Sequence, residues 1–171
     1  MFALLFIIGK LNIIYAENRT TSVSWISNFG NWSVNRDKYF CYAISSPIIS
    51  KPSTNINHGN NYFIIASNPE KKGSYVLEAV MDYPLDKNKN ISLQVKGKNS
   101  NEKIFTMNFY NDHRTIFPPE SDNDVDLLIK SMKMGKDLIL KAKSKRGTDT
   151  EYVYSLNGLS KALEDIGRCQ E

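Results

Sequence analysis

Residues 138–156, LILKAKSKRGTDTEYVYSL, decide the fold class of this chain. Apolar residues occupy alternate positions of the first part, namely Leu138, Leu140 and Ala142, while Ile139, Lys141 and Lys143 lie between them. Because successive side chains of a β-strand point to opposite faces, this alternation predicts a strand. The sequence Lys145-Arg146-Gly147-Thr148 predicts a tight turn, after which Tyr152, Tyr154 and Leu156 share one face. We therefore predict a β-hairpin between residues 138–144 and 150–156, with Gly147 at positive φ.

A helix is predicted on each side of this hairpin. Before it, Val125, Leu128, Ile129 and Met132 recur at helical spacing, and Gly135 marks the end of that helix. After it, an apolar face is formed by Leu159, Ala162, Leu163 and Ile166, with Asn157 as the predicted N-cap. The region from Asp122 to Cys169 thus predicts the order helix, strand, turn, strand, helix.

The remaining chain carries short strand patterns separated by turn residues. One or two strands are predicted within residues 23–34, and others at 39–45, 62–67, 74–81, 91–95 and 103–109. Residues 51–61 and 111–120 are predicted to be irregular. Six or seven short strands and few helices predict a mainly β, two-sheet sandwich, with two short helices in the C-terminal half. A length of 171 residues fits one domain.

Residues 1–16 resemble a secretory signal peptide. Apolar residues dominate up to Ile14, Ala16 suits signal peptidase, and polar residues follow. An uncleaved anchor is the alternative, but sixteen residues interrupted by Lys10 fall short of the ~20 that a spanning helix needs. We therefore expect cleavage after Ala16, export, and a single mature domain of residues 17–171.

Export determines how the two cysteines, Cys41 and Cys169, are interpreted. In an oxidising compartment an isolated pair usually forms a disulfide, which stabilises a domain by ~2–4 kcal/mol. Two buried free thiols are the alternative. A metal site is disfavoured because no His or Cys lies at ligand spacing to either residue. We predict a disulfide between Cys41 and Cys169.

No catalytic, cofactor or metal motif is apparent. His58 and His113 lie in predicted loops without a partner at catalytic or ligand spacing. The acidic residues that begin at Asp122 resemble a calcium loop, but Leu127 replaces the required Gly and Lys133 the required Glu. Neither a Gly-rich phosphate loop nor a nucleophilic Ser elbow occurs. We expect a protein that is not an enzyme and has no cofactor.

A cluster of basic residues accompanies the hairpin. Lys141, Lys143 and Lys145 are predicted to share a strand face, with Arg146 in the turn. Such a cluster could contact an anionic membrane surface, lipopolysaccharide or acidic glycans. The alternative is an edge strand kept soluble by lysines. Nucleic acid is disfavoured as a partner because the chain is predicted to be exported and its net charge is only +4.

Several sequence motifs resemble a known family. In the C-terminal half these are Met132-Lys133-x-Gly135, Ser144-x-Arg146-Gly147-Thr148-x-Thr150, Tyr154-Ser155-Leu156-x-Gly158, Ala162 and Cys169. Earlier in the chain they are Phe29-Gly30-Asn31-Trp32 and Cys41-Tyr42-Ala43-x-Ser45-x-Pro47. Taken together, the chain resembles the invasion-associated locus B family of exported proteins from Gram-negative bacteria.

This resemblance implies an immunoglobulin-like β-sandwich, export to the periplasm or outer membrane, and virulence through invasion or colonisation of host cells. It brings no catalytic residue and no cofactor. The leading hypothesis is an exported, non-enzymatic envelope protein that binds an envelope or host-surface partner. A periplasmic enzyme or enzyme inhibitor, and a structural envelope component without a specific ligand, are the alternatives. Secretion into the medium is an alternative final location.

Overall fold

A computed structural model describes residues 25–36, 41–97, 102–109, 114–117 and 122–168. The predicted signal peptide at residues 1–16, together with His113 and Cys169, lies outside the described residues.

Strands dominate the described chain, and two helices lie in its C-terminal half. The strands are β1 (Trp25–Phe29), β2 (Trp32–Arg36), β3 (Cys41–Ser45), β4 (Ile49–Lys51), β5 (Tyr62–Ser67), β6 (Tyr75–Val80), β7 (Ile91–Gly97), β8 (Glu102–Phe109), β9 (Thr115–Phe117), β10 (Gly135–Lys143) and β11 (Asp149–Ser155). The helices are α1 (Asp122–Met134) and α2 (Leu159–Gly167).

The strands pair in an antiparallel manner and form two sheets. The first sheet runs in the order β1-β2-β3-β5-β6 and the second in the order β7-β10-β11-β4, while β9 and β8 connect β6 to β7. The predicted mainly β, two-sheet sandwich with two C-terminal-half helices is confirmed. The described residues form eleven strands, more than the six or seven predicted.

The core lies between the two sheets and is rich in aromatic side chains. Trp32, Phe63, Tyr152 and Tyr154 are almost completely buried. The rings of Trp32 and Phe63 meet edge to face at 6.5 Å between centroids, and those of Phe63 and Tyr154 lie 5.8 Å apart. Both sheets therefore contribute to one aromatic cluster.

The helices cover the sandwich as their apolar patterns predict. Helix α1 contacts β6, β7 and β10, and α2 contacts β1, β2, β3 and β5. The predicted apolar face of α2 is buried throughout: Leu159, Ala162, Leu163 and Ile166. Helix α1 ends at Met134, immediately before Gly135, as predicted. The order helix, strand, turn, strand, helix is confirmed.

Two local predictions were wrong, and one strand was not predicted. Strand β9 lies in a segment that was predicted to be irregular, and β4 lies where no strand was predicted. Each has only three residues, too few to show alternation, and each exists because a neighbouring strand, β11 or β6, pairs with it. Asn157 does not cap α2, since the N-cap is Gly158, which makes no side-chain cap.

The turn between β1 and β2 packs directly on the segment that joins β11 to α2; we call this the junction contact. Asn31 N–H donates to the Asn157 carbonyl at 3.1 Å. Trp32 Nε1–H donates to the Ser155 carbonyl at 3.0 Å. Asn157 thus takes part in the junction contact through its backbone carbonyl, which accepts a hydrogen bond.

Gly158 allows the two segments to approach. It has φ of 91°, and a Cβ at this position would lie 1.9 Å from the Phe29 carbonyl oxygen. Real Cβ atoms essentially never come so close to another heavy atom, and here the obstacle is backbone. Only glycine fits without moving one of the two segments.

Gly158→Ala should therefore destabilise the domain by more than the ~1–3 kcal/mol expected for backbone strain alone. Thermal and urea unfolding monitored by Trp fluorescence measure the effect. Gly167→Ala is the matched control, because that glycine ends the same helix and has open space around it. Equal melting temperatures for the two variants would contradict the junction contact.

The predicted hairpin is present, with β10 paired to β11. Gly147 has φ of 88°, which confirms the predicted positive φ, and no atom stands within 4 Å of a Cβ built there. Gly147→Val should cost ~1–3 kcal/mol from backbone strain alone. Gly147→Asn, which tolerates positive φ better, should cost less. Chemical denaturation measures both, and equal losses would contradict strain as the cause.

Candidate functional site

Strand β10, which carries part of the predicted basic cluster, is an interior strand. Lys141 lies opposite Ser92 of β7 on one side and Glu151 of β11 on the other. The alternative interpretation, that lysines protect an open sheet edge, is therefore wrong for this strand. It was suggested because alternation alone does not show how many neighbours a strand has.

Lys141 and Lys143 border an open cleft of about 490 Å³ on the outer face of the second sheet. We call it the sheet cleft, and its charged lining residues are Lys51, Lys89, Lys141, Lys143, Asp149 and Glu151. Strands β4, β10 and β11 contribute three of the lysines and both carboxylates, and the segment between β6 and β7 contributes Lys89.

Carboxylates pair with three of these lysines. Glu151 accepts from Lys51 Nζ at 2.8 Å and lies 3.5 Å from Lys141 Nζ, through different carboxylate oxygens. Lys143 Nζ lies 3.2 Å from Asp149 Oδ1. The hydrogen bond from Lys51 lowers the pKa of Glu151, and the charges of Lys51 and Lys141 act in the same direction. Three of the four lysines of the sheet cleft thus each contact a carboxylate, and Glu151 is shared by two of them.

Lys145 and Arg146 line a different cleft, of about 500 Å³. We call it the turn cleft; it lies between the β10–β11 turn, residues 55–58 and residues 82–84. The predicted basic cluster is thus divided into two pairs. Within the described ranges, neither Lys145 nor Arg146 forms a salt bridge. Both are exposed.

Backbone hydrogen bonds fix the turn that carries these two cations. Ser144 N–H donates to the Thr148 carbonyl at 2.8 Å, and Gly147 N–H donates to the Ser144 carbonyl at 2.8 Å. Lys145 N–H donates to the Pro84 carbonyl at 2.9 Å, which joins the turn to the opposite wall of the cleft. The positions of the two cationic residues are therefore set before any ligand binds.

His58 connects the 55–58 wall of the turn cleft to the core. Its Nδ1 lies 2.9 Å from the hydroxyl of Tyr152, and its Nε2 lies 2.7 Å from the Pro52 carbonyl. The two rings meet edge to face at 5.4 Å. Tyr152 lies 94 residues further along the chain, so no local sequence pattern signals this contact.

The hydrogen-bonded chain continues inward from Tyr152. Its hydroxyl lies 2.7 Å from that of Tyr83, Tyr83 donates to Thr150 Oγ1 at 2.9 Å, and Thr150 donates to the Ala142 carbonyl at 3.0 Å. Burial raises the pKa of Tyr152 and of Tyr83. Both phenols therefore stay neutral at physiological pH.

Asp82 is the carboxylate that borders the turn cleft. Its Oδ2 accepts from Asn60 N–H at 3.1 Å, and its own N–H donates to Asn61 Oδ1 at 2.9 Å. These bonds hold the 55–61 loop against the sheet. In the part of the chain that the structure describes, no group of three or more His, Cys, Asp or Glu residues could hold a metal ion.

Of the two cysteines, only Cys41 is among the described residues. It begins β3, is buried, and lies opposite Arg36. Arg36 in turn donates to the Asp165 carbonyl of α2 at 3.0 Å. Cys169 follows α2 in the sequence, four residues after Asp165, but lies outside the described residues. The disulfide between Cys41 and Cys169 stays a prediction that this arrangement of β3 and α2 supports.

Among the described residues, neither helix is long and apolar enough to cross a membrane.

Comparisons with known proteins find one informative likeness. No family model matches the chain, and no curated protein matches it. Among solved structures, the crystal structure of invasion associated protein B from Bartonella henselae is similar. The TM-score is 0.58 at 18% identity, over 85% of this chain and 98% of that one. At this identity the likeness shows the fold, and it is the fold that the sequence motifs implied.

Proposed function

We propose that this protein is an exported, non-enzymatic envelope protein that acts by binding an anionic surface, in the bacterial envelope or on a host cell. The observation that carries the proposal is the turn cleft. There Lys145 and Arg146 are exposed, lie on a turn fixed by backbone hydrogen bonds, and have no salt bridge within the described residues.

Charge pairing favours the turn cleft over the sheet cleft. A cation that already contacts a carboxylate presents a weak field to a second anion, because the two opposite charges largely cancel at a distance. Lys51, Lys141 and Lys143 are in this situation. Lys145 and Arg146 have no salt bridge within the described residues, although Asp82 also lines their cleft, and adjacent exposed cations add their fields over about one Debye length.

The role in invasion or colonisation is supported by the fold likeness to invasion associated protein B. The motif resemblance points in the same direction. Export is supported by the signal-like residues 1–16 and by the isolated cysteine pair. The same evidence favours the periplasm or outer membrane as the location and a virulence role as the outcome.

Vesicle binding tests the proposed activity. The protein would be titrated with phosphatidylcholine vesicles that contain phosphatidylglycerol, with pure phosphatidylcholine vesicles as the control, and with purified lipopolysaccharide. We expect binding to the anionic vesicles that weakens as salt rises from about 0.01 to 0.15 M, since the Debye length falls from about 30 to 8 Å. Equal binding to the neutral vesicles, or no binding at low salt, would refute the proposal.

A further inference from the structure

The hydrogen-bonded chain at the turn cleft has more contacts than protons if His58 is neutral. Five short contacts run from the Pro52 carbonyl to the Ala142 carbonyl, and both ends can only accept. The three hydroxyls between them supply one proton each, and a neutral imidazole supplies one more. One of the five contacts would then lack a hydrogen.

Doubly protonated His58 fills every contact. Its Nε2–H donates to Pro52 and its Nδ1–H donates to Tyr152, which leaves the Tyr152 hydroxyl free to donate to Tyr83. The remaining bonds then continue in the same direction to Thr150 and the Ala142 carbonyl. Each hydroxyl donates once and accepts once, as the geometry of a buried polar network requires.

A cationic His58 changes the charge of the turn cleft. Lys145, Arg146 and His58 then line it, against the single carboxylate of Asp82. The neighbouring phenols Tyr83 and Tyr152 stay neutral because burial raises their pKa. Histidine is the side chain that ordinarily changes charge between about pH 5 and 8, so the charge of this cleft is tested by comparing two pH values.

The size and lining of the cleft suit a small ligand with an apolar part. Its volume of about 500 Å³ lies within the range of about 300–1,000 Å³ typical of ligand sites. Ile56, whose side chain is 41% exposed, and Pro84 give the lining an apolar portion beside the cations. Exposed apolar side chains next to fixed cations favour a ligand that carries both kinds of group.

We infer that the turn cleft binds a small organic anion, with one sulfate, phosphate or carboxylate group on an apolar or sugar body, and that protonated His58 contributes to its affinity. This inference rests on the proposed anion-binding function and names the class of ligand for its site. The anionic group would contact the Lys145–Arg146 turn, with the body against Ile56 and Pro84. A lipid headgroup and a free metabolite share this chemistry.

Phenyl sulfate is a suitable probe because a sulfate monoester is a strong acid and keeps its single negative charge at both pH values. Binding to the purified protein would be followed by NMR at pH 5.5 and pH 8, using the imidazole signals. The chain has only two histidines, so the His113→Gln variant assigns the signals of His58. We expect these signals to shift on saturation. We also expect affinity about five-fold higher at pH 5.5, the factor from one added unit charge at contact distance in water.

His58→Gln keeps a hydrogen-bonding side chain and should bind phenyl sulfate with the same affinity at both pH values. His113→Gln should keep the wild-type pH dependence. Unchanged His58 signals on addition of probe, or equal pH dependence in wild type and His58→Gln, would overturn the inference. If vesicles that contain phosphatidylglycerol displace phenyl sulfate, a lipid headgroup is the ligand; if they do not, a free anion is. Vesicle binding without phenyl sulfate binding would refute this site while leaving the proposed function standing.

Discussion

The junction contact between the β1–β2 turn and the β11–α2 segment constrains the rest of the structure. Two hydrogen bonds, from Asn31 and from the Trp32 indole, attach the edge of the first sheet to the end of β11 in the second. Helix α2, which follows this segment, packs on β1, β2, β3 and β5 of the first sheet. The opposite end of β11 carries the turn with Lys145 and Arg146, which have no salt bridge within the described ranges. Two of the motifs that carry the family resemblance, residues 29–32 and 154–158, meet at this contact. The contact therefore offers one physical explanation for both motifs.

Local patterns predicted those parts of the fold that local physics determines. The hairpin, Gly147 and the apolar face of α2 follow from periodicity and turn chemistry within a few residues. Strands β4 and β9 could not be predicted because pairing with distant strands creates them. The sequence around His58 does not indicate its contact with Tyr152, because the two residues lie 94 positions apart and only the folded chain brings them together. Asn157 suits an N-cap by residue type, but Gly158 takes that position with positive φ.

The basic cluster shows how a linear pattern can group residues that the fold separates. Alternation would place Lys145 beside Lys141 and Lys143 if the strand continued, but β10 ends at Lys143 and the turn directs Lys145 elsewhere. Cross-strand neighbours then decide the remaining charge. Glu151 and Asp149 on β11 face the lysines of β10, whereas no carboxylate among the described residues forms a salt bridge with the cations of the turn. The strand register decides which lysines form salt bridges, and these salt bridges determine where the surface can attract an anion.

We propose that Lys145 and Arg146, which have no salt bridge within the described residues, bind the anionic surface, and that the paired lysines of β10 do not. Two double variants test this most directly: Lys145→Gln with Arg146→Gln, and Lys141→Gln with Lys143→Gln. Both remove two positive charges from the hairpin, so long-range electrostatics change equally. Affinity for vesicles that contain phosphatidylglycerol, measured at one salt concentration, should fall at least five-fold for the turn variant and far less for the strand variant. Equal losses would show that only net charge matters, and a larger loss for the strand variant would place binding at the sheet cleft; either result would contradict the account.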